Sequence, residues 1–311
     1  AMIVVVGESL IDIVVDENGR STKAPGGSPL NVAVGLGRLG VSTLFMTQLG
    51  NDEYAEQILQ HLRDSQVSVM AAPTRSGHTS TARAQVGADG DASYTFEISW
   101  DLPEQDLPRC NAVHIGSLGA LLEPGRAAVL ELVDEATAHN HLLCYDINLR
   151  PHFVTDPEAT WRDVIAMADK CAIVRLSEAD AELLRPQMPV EELCQILLRG
   201  DKTQVVVLTR SAAGATAFGA GFEVSAEPRE VNLVDTIGAG DAFTAGLLAM
   251  LDEARLLDER RLPTDEETWA ILLAGAVEIA SLTCERRGAN PPTRAEVSQD
   301  FKRHVAHVRK P

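Results

Sequence analysis

Short apolar segments alternate with longer helix-like segments through the second half of this 311-residue chain. The apolar segments predict strands at 112–115, 142–147, 172–176 and 204–208. The segments between them predict helices at 125–139, 161–168 and 190–198. Strands that alternate with helices in this way indicate an α/β fold with a doubly wound, mainly parallel sheet flanked by helices. In such sheets a ligand binds beyond the carboxyl ends of the strands.

Polar side chains follow the predicted strands at that edge of the sheet. They are Asp146, Asn148 and Arg150, then Ser177 and Asp180, then Thr209 and Arg210. The first three would share one face if their strand stayed extended, although Asp146 could instead cap the next turn. The guanidinium of Arg150 suits a phosphate or a carboxylate. Ser177 and Asp180 also match a helix capping box, which leaves a purely structural role open.

A β hairpin interrupts the alternating pattern in the first half of the chain. Segments 81–86 and 94–98 alternate in polarity around the glycine-containing turn 87–91, which is typical of a hairpin. Together with earlier strand material, this hairpin predicts a small β lid beside the main sheet. We expect the lid to be formed from about 13–24 and 79–100.

The start of the chain predicts the first strands of a single domain. Residues 3–6 are apolar and β-branched, as in a strand buried on both sides. Asp12 follows among aliphatic residues and therefore needs a partner, a ligand or a solvated strand edge. The sequence has no linker, repeat or low-complexity segment, so we expect one domain over 1–311.

A glycine-rich turn precedes a helix made of small apolar residues. Gly238 and Gly240 bracket Ala239, and Asp241 follows at once. Glycine allows a tight turn and a close approach to a ligand, and free N–H groups in the first turn of a helix suit phosphate oxygens. Asp241 would then be placed to accept a proton from an attacking hydroxyl. A simple N-cap after a glycine turn is the structural alternative.

A second glycine pattern is misplaced for the function that it suggests. The segment 35–40 matches G-x-G-x-x-G, but it ends a helix, whereas a dinucleotide-binding motif follows a strand and opens a helix. We therefore expect Gly35 and Gly37 to allow close helix packing. This argues against a Rossmann dehydrogenase.

The segment DTIGAGD at 235–241 closely resembles the DTxGAGD signature of the ribokinase-like (PfkB) family of carbohydrate kinases. The segment GGSPLNVA at 26–33, continuing to RLG at 38–40, resembles the upstream signature of that family. The order and separation of the two are similar, and the resemblance covers essentially the whole chain. It implies a ribokinase-like fold, a lid that closes over the sugar, and transfer of the γ-phosphoryl group of ATP, with Mg²⁺, to a sugar hydroxyl.

The resemblance also implies roles for individual residues. Asp241 would be the catalytic base, and the backbone N–H groups of Gly238, Ala239 and Gly240 would form an anion hole. The implied substrate-binding residues are Asp12, Gly26, Gly27, Asn31 and Arg150. The implied nucleotide-binding residues are Ser177, Thr209, Gly214, Gly238 and Gly240. The implied site for a monovalent cation, K⁺, uses Asp235 and the loop 288–290.

The chain departs from the family pattern at three of these positions. Ser177 and Asp180 stand where the family usually has Asn and Glu, and Ser211 stands where it has Gly. Ser177 is a familiar variant among fructokinase-like members. Asp180 is shorter than the usual Glu, so the metal-linked regulation that the family motif implies is left open for this chain.

Net charge and cysteine content restrict the partners. A formal net charge of −18 argues against a general nucleic-acid or anionic-membrane surface. Five cysteines without a C-x-x-C pair are typical of a reducing cytoplasm. No uninterrupted apolar run approaches about 18 residues, so we expect no transmembrane helix. The expected partners are a sugar and ATP, and a homodimer through the lid is left open.

The acceptor sugar is less constrained than the reaction. D-fructose is the first expectation, because the 146–150 run and Ser177 are similar to those of fructokinases, bacterial ones above all. A 2-keto-3-deoxygluconate kinase, a ribokinase or a nucleoside kinase are alternatives within the class. A sugar-binding regulator without catalysis is an alternative from another class, and the intact 238–241 segment argues against it.

Overall fold

The computed structural model describes residues 2–211 and 214–308 of the chain. Its strands are β1 Met2–Val6, β2 Leu10–Val15, β3 Ser21–Gly26, β4 Ser42–Leu49, β5 Ser68–Pro73, β6 Thr81–Val86, β7 Ala92–Glu97, β8 Ala112–Gly116, β9 Leu142–Asp146, β10 Ile173–Ser177, β11 Val205–Arg210, β12 Gly214–Gly219 and β13 Phe222–Ala226. Its α-helices are α1 Ser28–Arg38, α2 Glu53–Asp64, α3 Gly125–Ala138, α4 Pro157–Ala168, α5 Glu178–Leu184, α6 Val190–Leu198, α7 Ala239–Glu253, α8 Glu266–Cys284 and α9 Gln299–Val308.

The main sheet has nine strands in the order β13-β12-β11-β10-β9-β8-β1-β4-β5. Neighbours from β11 to β5 pair in parallel, and β11-β12 and β12-β13 pair antiparallel. The predicted doubly wound sheet is thus confirmed. The antiparallel hairpin of β12 and β13 at one edge was not predicted.

Both faces of the sheet are buried. Along β1, Ile3 and Val5 belong to one buried cluster, and Val4 and Val6 belong to the other. The first cluster contains residues of α1, α7 and α8, and the second contains residues of α3, α4 and α6. This explains why the strand is apolar at every position instead of at alternate ones.

The small sheet has four strands in the order β3-β2-β6-β7. It corresponds to the predicted lid, but it begins at Leu10 and its hairpin ends at Glu97. The aliphatic side chains of β2 at 11, 13 and 15 join the same buried cluster as Ile58 of α2. Asp12, between them, points to the opposite face of the strand, since successive side chains alternate.

The glycines of the misplaced motif have the predicted packing role. A Cβ atom on Gly35 would lie 2.7 Å from Cβ of Ala245 in α7, and one on Gly37 would lie 2.2 Å from the carbonyl oxygen of Ser65. Helix α1 begins at Ser28, with Pro29 in its first turn, directly after the glycine turn at 26–27.

Helix α8 is long and apolar enough to cross a membrane by length and composition alone. The sequence analysis did not predict a helix of this length and apolar character. Half of its most apolar window is buried inside the protein, and its buried residues share a cluster with those of α7. These contacts are those of a core helix. All five cysteines are free thiols.

Candidate active site

Asp241 lies in the first turn of α7 and is almost completely buried, with 7% of its surface exposed. Its carboxylate accepts a 2.6 Å hydrogen bond from Ser28 Oγ and a 3.0 Å bond from Asn31 Nδ2. Both donors come from the first turn of α1, more than 200 residues earlier in the chain. The N-termini of two helices therefore meet at one carboxylate.

Burial is the largest influence on the pKa of Asp241, and it raises that pKa. The hydrogen bonds from Ser28 and Asn31 and the positive charge of Arg175 act in the opposite direction. A carboxylate in this environment holds a proton more readily than an exposed one. It remains fixed in orientation by two donors, as a general base requires.

The turn before α7 has the conformation that its glycines allow. Gly238 has φ 77°, in the left-handed region, and a Cβ atom there would lie 2.7 Å from Cβ of Ala289. Ala239 differs from the anion-hole expectation, because its N–H donates to the carbonyl oxygen of Thr236 at 3.2 Å. Gly240 and Asp241, in the first turn of α7, have N–H groups with no acceptor inside the helix. These two are the better placed anion donors.

The residues expected to bind the sugar lie beside Asp241. A Cβ atom on Gly26 would lie 2.0 Å from Asp12 Oδ2, so only glycine leaves room for that carboxylate. Gly27 has φ 104° and ends the approach to α1, which carries Asn31. Burial raises the pKa of Asp12, and the charge of Arg150 opposes this effect.

The expectation that 146, 148 and 150 share one strand face is wrong. Strand β9 ends at Asp146, and Asn148 has φ 36°, which breaks the extended backbone. Asp146 is fully buried and forms an ion pair, whereas Arg150 is half-buried. The charge of Arg150 lowers the pKa of Asp12 and of Glu8. Arg150 thus lies near Asp12 and Glu8.

Ser177 and Asp180 form the capping box that the structural alternative predicted. Ser177 Oγ accepts from the N–H of Asp180 at 3.2 Å, and Asp180 Oδ2 accepts from the N–H of Ser177 at 2.9 Å. The other carboxylate oxygen accepts from the N–H of Leu149 at 2.8 Å. Both oxygens of Asp180 are therefore engaged by backbone.

One of the residues expected to bind the nucleotide, Gly214, lies next to a cavity. Thr209, the second-last residue of β11, lies beside Ser177, its partner in the register of β10. Gly214 has φ 83°, and a Cβ atom there would lie 1.9 Å from the carbonyl oxygen of Ala226. Ala226 lines a cavity of about 460 Å³ between β13 and α8, together with Arg229 and Glu278. Ala212 and Ala213 of the predicted loop lie outside the described residues.

Asp235 contacts the loop with which it was expected to hold a cation. Its Oδ2 accepts from the N–H of Gly288 at 2.9 Å, and its Oδ1 accepts from the N–H of Ile237 at 3.0 Å. Each carboxylate oxygen has two lone pairs, so one remains on each for an ion. The carboxylate is half-buried and fits a monovalent cation.

Two buried charged residues at the site were not predicted from the sequence. Arg175 of β10 donates to the carbonyl oxygen of Gly240 at 3.0 Å. Glu8, two residues after the end of β1, accepts from Ser117 Oγ and from the N–H of Gly119. The available signal was a charge embedded in, or next to, an apolar run that otherwise reads as a buried strand.

The sequence pattern of the pfkB family of carbohydrate kinases matches residues 1–296. The chain belongs to this family. It is therefore a phosphotransferase that acts on a sugar hydroxyl, and the kinase expectation is confirmed.

Individual relatives of this carbohydrate kinase agree with that assignment. It is 30% identical to a probable fructokinase-4 of Arabidopsis thaliana, over 97% of each chain. A structure of an uncharacterised sugar kinase from Pyrococcus horikoshii in complex with ATP is 25% identical, with a TM-score of 0.78, and covers 98% of this chain and 100% of the other. A Vibrio cholerae fructokinase with bound fructose, ADP and potassium has the same fold at 24% identity, with a TM-score of 0.76 and coverage of 93% and 94%.

Proposed function

We propose that this carbohydrate kinase transfers the γ-phosphoryl group of ATP to a hydroxyl of D-fructose. The observation that carries the proposal is the buried carboxylate of Asp241, held by Ser28 and Asn31 beside the residues that frame Asp12. The choice of fructose is supported by relatives that are named fructokinases and that match the chain almost end to end.

Asp241 accepts the proton of the sugar hydroxyl as that oxygen attacks phosphorus. The positive end of α7 and its free N–H groups stabilise the negative charge that develops on the transferred phosphoryl oxygens. Asp12 accepts hydrogen bonds from sugar hydroxyls and orients the acceptor. Mg²⁺ bound with ATP would neutralise part of the charge of the phosphates.

The adenosine part of ATP occupies the cavity of about 460 Å³ between β13 and α8. Gly214 lies against Ala226 on one wall of this cavity, so the start of β12 borders it. Thr209 and Ser177, paired in register on β11 and β10, would contact the phosphates. Backbone N–H groups engage both oxygens of Asp180, which supports a structural role for this residue at the start of α5.

K⁺ would bind beside Asp235 and stabilise the turn at 237–240, which contains the proposed anion-hole N–H groups. The N–H of Ile237, which starts this turn, already donates to Asp235. The Vibrio cholerae fructokinase that contains potassium supports this assignment. Activity should therefore rise when Na⁺ is replaced by K⁺ at constant ionic strength, and no difference between the two ions would count against the site.

A sugar acid is the competing substrate, because of Arg150. Its position on the sugar side of the site, near Asp12 and Glu8, would suit the carboxylate of 2-keto-3-deoxygluconate. With a neutral sugar, Arg150 instead offsets the negative charge of Asp12. Arg150→Ala separates these roles, since it should raise the KM of an acid substrate far more than that of a neutral sugar if Arg150 binds the carboxylate.

Two further properties belong to the proposal. The protein acts in the cytoplasm, which fits five free thiols. It forms a homodimer through the lid, whose face carries exposed Val14 and Tyr94, 44% and 59% accessible. The register places both side chains opposite Ala84, on the face that also carries Asp12.

A coupled assay of ADP release over a panel of sugars tests the proposed function. The panel comprises D-fructose, 2-keto-3-deoxygluconate, D-ribose and adenosine, each with ATP and Mg²⁺. We expect the highest kcat/KM with fructose. A tenfold or larger preference for another acceptor, about 1.4 kcal/mol in transition-state free energy, would replace fructose and leave the kinase intact. Absence of phosphoryl transfer to every acceptor would contradict the proposal.

A further inference from the structure

Arg175 lies in the middle of β10 and is 5% exposed. Its Nη1 donates to the carbonyl oxygen of Gly240 at 3.0 Å and to Asp146 Oδ2 at 3.1 Å. Its Nη2 donates to Thr209 Oγ1 at 3.4 Å. One guanidinium on β10 thus joins the carboxyl-terminal parts of β9 and β11 to the first turn of α7.

The glycine turn is shaped around this guanidinium. A Cβ atom on Gly240 would lie 2.5 Å from Arg175 Nη2 and 3.1 Å from Cζ. The alanine side chain would therefore displace the arginine or the turn. The close approach explains why position 240 is glycine, although its φ is not in the left-handed region.

We propose that Arg175 is a positioning residue for phosphoryl transfer, which holds the Gly240–Asp241 peptide in one orientation and keeps a fixed positive charge behind Asp241. The inference rests on the proposed function. In a trans peptide the C=O and N–H point in opposite directions. Because the Gly240 carbonyl oxygen accepts from Arg175, the N–H of Asp241 points away from the guanidinium, and the proposal places the transferred phosphoryl group on that side.

The charge of Arg175 is held in place by Asp146, which is fully buried. Thr244 Oγ1, one helical turn after Gly240, donates to the Asp146 carboxylate at 2.9 and 3.0 Å. Asp146 therefore holds both the guanidinium and α7. A buried charge without such a partner would be strongly destabilising, so Arg175 and Asp146 act as a unit.

The charged neighbours of this unit come from every element around it. Asp180 of α5 and Asp241 of α7 both act on Arg175. His114 of β8 lies 3.9 Å from Asp146, but burial lowers its pKa to about 3, so it is neutral. Arg175 lowers the pKa of Asp241, whereas Asp146 raises it. Removing the charge of Arg175 should therefore raise the pKa of Asp241, and removing the charge of Asp146 should lower it.

A metal ion at this place is the competing interpretation, since His114, Cys144 and Asp146 lie close together. The ion would need the Asp146 carboxylate, which already binds Arg175 and Thr244. It would also stand next to a buried guanidinium, where two positive charges repel each other strongly because the effective dielectric constant is low. The arginine and the metal ion exclude each other, and the arginine is present.

The test compares Arg175→Lys, Arg175→Met and Asp146→Asn with wild-type enzyme on whichever sugar is turned over best. We expect Arg175→Lys, which keeps the charge and loses the planar fork, to reduce kcat by about tenfold or more with the sugar KM within about twofold. The acid limb of the pH profile of kcat/KM should stay in place. Arg126→Lys, at another mostly buried arginine that contacts carbonyl oxygens elsewhere, is the matched control.

The two charge-removing variants give the decisive readout. Arg175→Met should move the acid limb to higher pH by about one unit or more, and Asp146→Asn should move it to lower pH. The proposal would be overturned if the acid limb of the pH profile stayed in place in both variants, or if the kcat of Arg175→Lys were close to that of the wild type. If Arg175→Met does not fold, the kcat of Arg175→Lys and the pH profile of Asp146→Asn provide the test. A wild-type enzyme without activity would instead be a failure of the proposed function.

Discussion

Gly238 is the residue whose backbone conformation most directly shapes the anion hole. Its φ of 77° favours glycine, and the space for a Cβ atom is taken by Ala289. We expect Gly238→Ala to reduce kcat by more than tenfold, because the turn must shift and the N–H groups after it lose their aim. Steady-state kinetics with the best sugar measures this.

Gly40→Ala is the matched control, since Gly40 has φ 86° and open space where its Cβ atom would lie. Both variants carry the backbone strain of about 1–2 kcal/mol per left-handed residue, and both should lose stability accordingly. Only Gly238→Ala should lose turnover. Equal turnover in the two variants would show that the position of this turn does not matter for catalysis.

Glu8 predicts a pH dependence of stability. Burial is the main cause that raises its pKa from the ordinary 4.5 to about 7. Between these values the folded state binds a proton that the unfolded state has released, so the contribution of Glu8 to stability falls as pH rises. It is fully present below about pH 4.5 and lost above about pH 7.

Glu8→Gln removes this titration and can keep both hydrogen bonds to the 117–119 segment. We expect the variant to gain free energy of unfolding relative to wild type as pH rises from 5 to 8, by up to about 3 kcal/mol. Urea unfolding at the two pH values measures the difference. A constant offset between the proteins would contradict the protonation of Glu8.

Sequence reasoning found the residues whose role is local and missed those whose role depends on distant contacts. Asp241, Gly238 and Gly240 form a short pattern with a mechanism that can be read directly. Arg175 contacts Gly240 across 65 positions, and Glu8 contacts Ser117 across 109. No periodicity reports such pairs, so these two charges became interpretable only in three dimensions.

At the level of elements, alternation predicted the parallel strands, because a strand buried on both faces leaves an unmistakable apolar run. The edge hairpin of β12 and β13 was missed. Its strands carry glycine and alternate with polar residues, and only their pairing with β11 places them in the sheet. The left-handed backbone of Asn148 was likewise invisible, and it overturned the shared-face interpretation of 146–150.

The small sheet, which we predict to be a lid, makes an aromatic contact with the segment after β9. Phe96 of β7 packs on His152 and Phe153, with ring centroids 4.7 and 5.1 Å apart. Only Pro151 separates these two residues from the 146–150 segment. We expect added sugar to slow hydrogen exchange in residues 81–97, because closure of the lid excludes water. Exchange mass spectrometry at saturating sugar measures this.

Asp12→Ala provides the control for that experiment. This variant removes the carboxylate that is proposed to accept hydrogen bonds from the sugar. It should therefore abolish the protection from hydrogen exchange that added sugar gives. Phe96→Ala should weaken the protection while leaving the main sheet unchanged. Exchange that is identical with and without saturating sugar in the wild-type protein would mean that the small sheet is not a lid.

At the level of the whole molecule, the proposed dimer explains why apolar side chains are exposed on the lid. Val14→Glu with Tyr94→Glu should convert the dimer to a monomer, because two buried acids without partners oppose association. Sedimentation velocity over a range of concentrations measures the change. A wild-type protein that is monomeric at micromolar concentration would contradict the dimer and leave the catalytic account intact.

The net charge of −18 also acts on the whole molecule. It opposes the approach of ATP, and screening restricts this effect to about 8 Å at physiological salt. Binding of ATP is therefore decided by local groups, and added salt should lower its KM slightly. The local groups that offset this negative charge at the site are Arg175, Arg150 and the positive N-terminus of α7.

The central claim is that Asp241 is the base of a sugar kinase and not only a helix residue. The most direct measurement is kcat of Asp241→Asn with the best sugar, together with the sugar dissociation constant and the melting temperature. We predict a fall in kcat of about 10²–10⁴-fold, with sugar binding and thermal stability close to wild type, because Asn retains hydrogen-bonding ability and loses proton acceptance. Turnover close to that of the wild type in a folded, sugar-binding variant would contradict the claim.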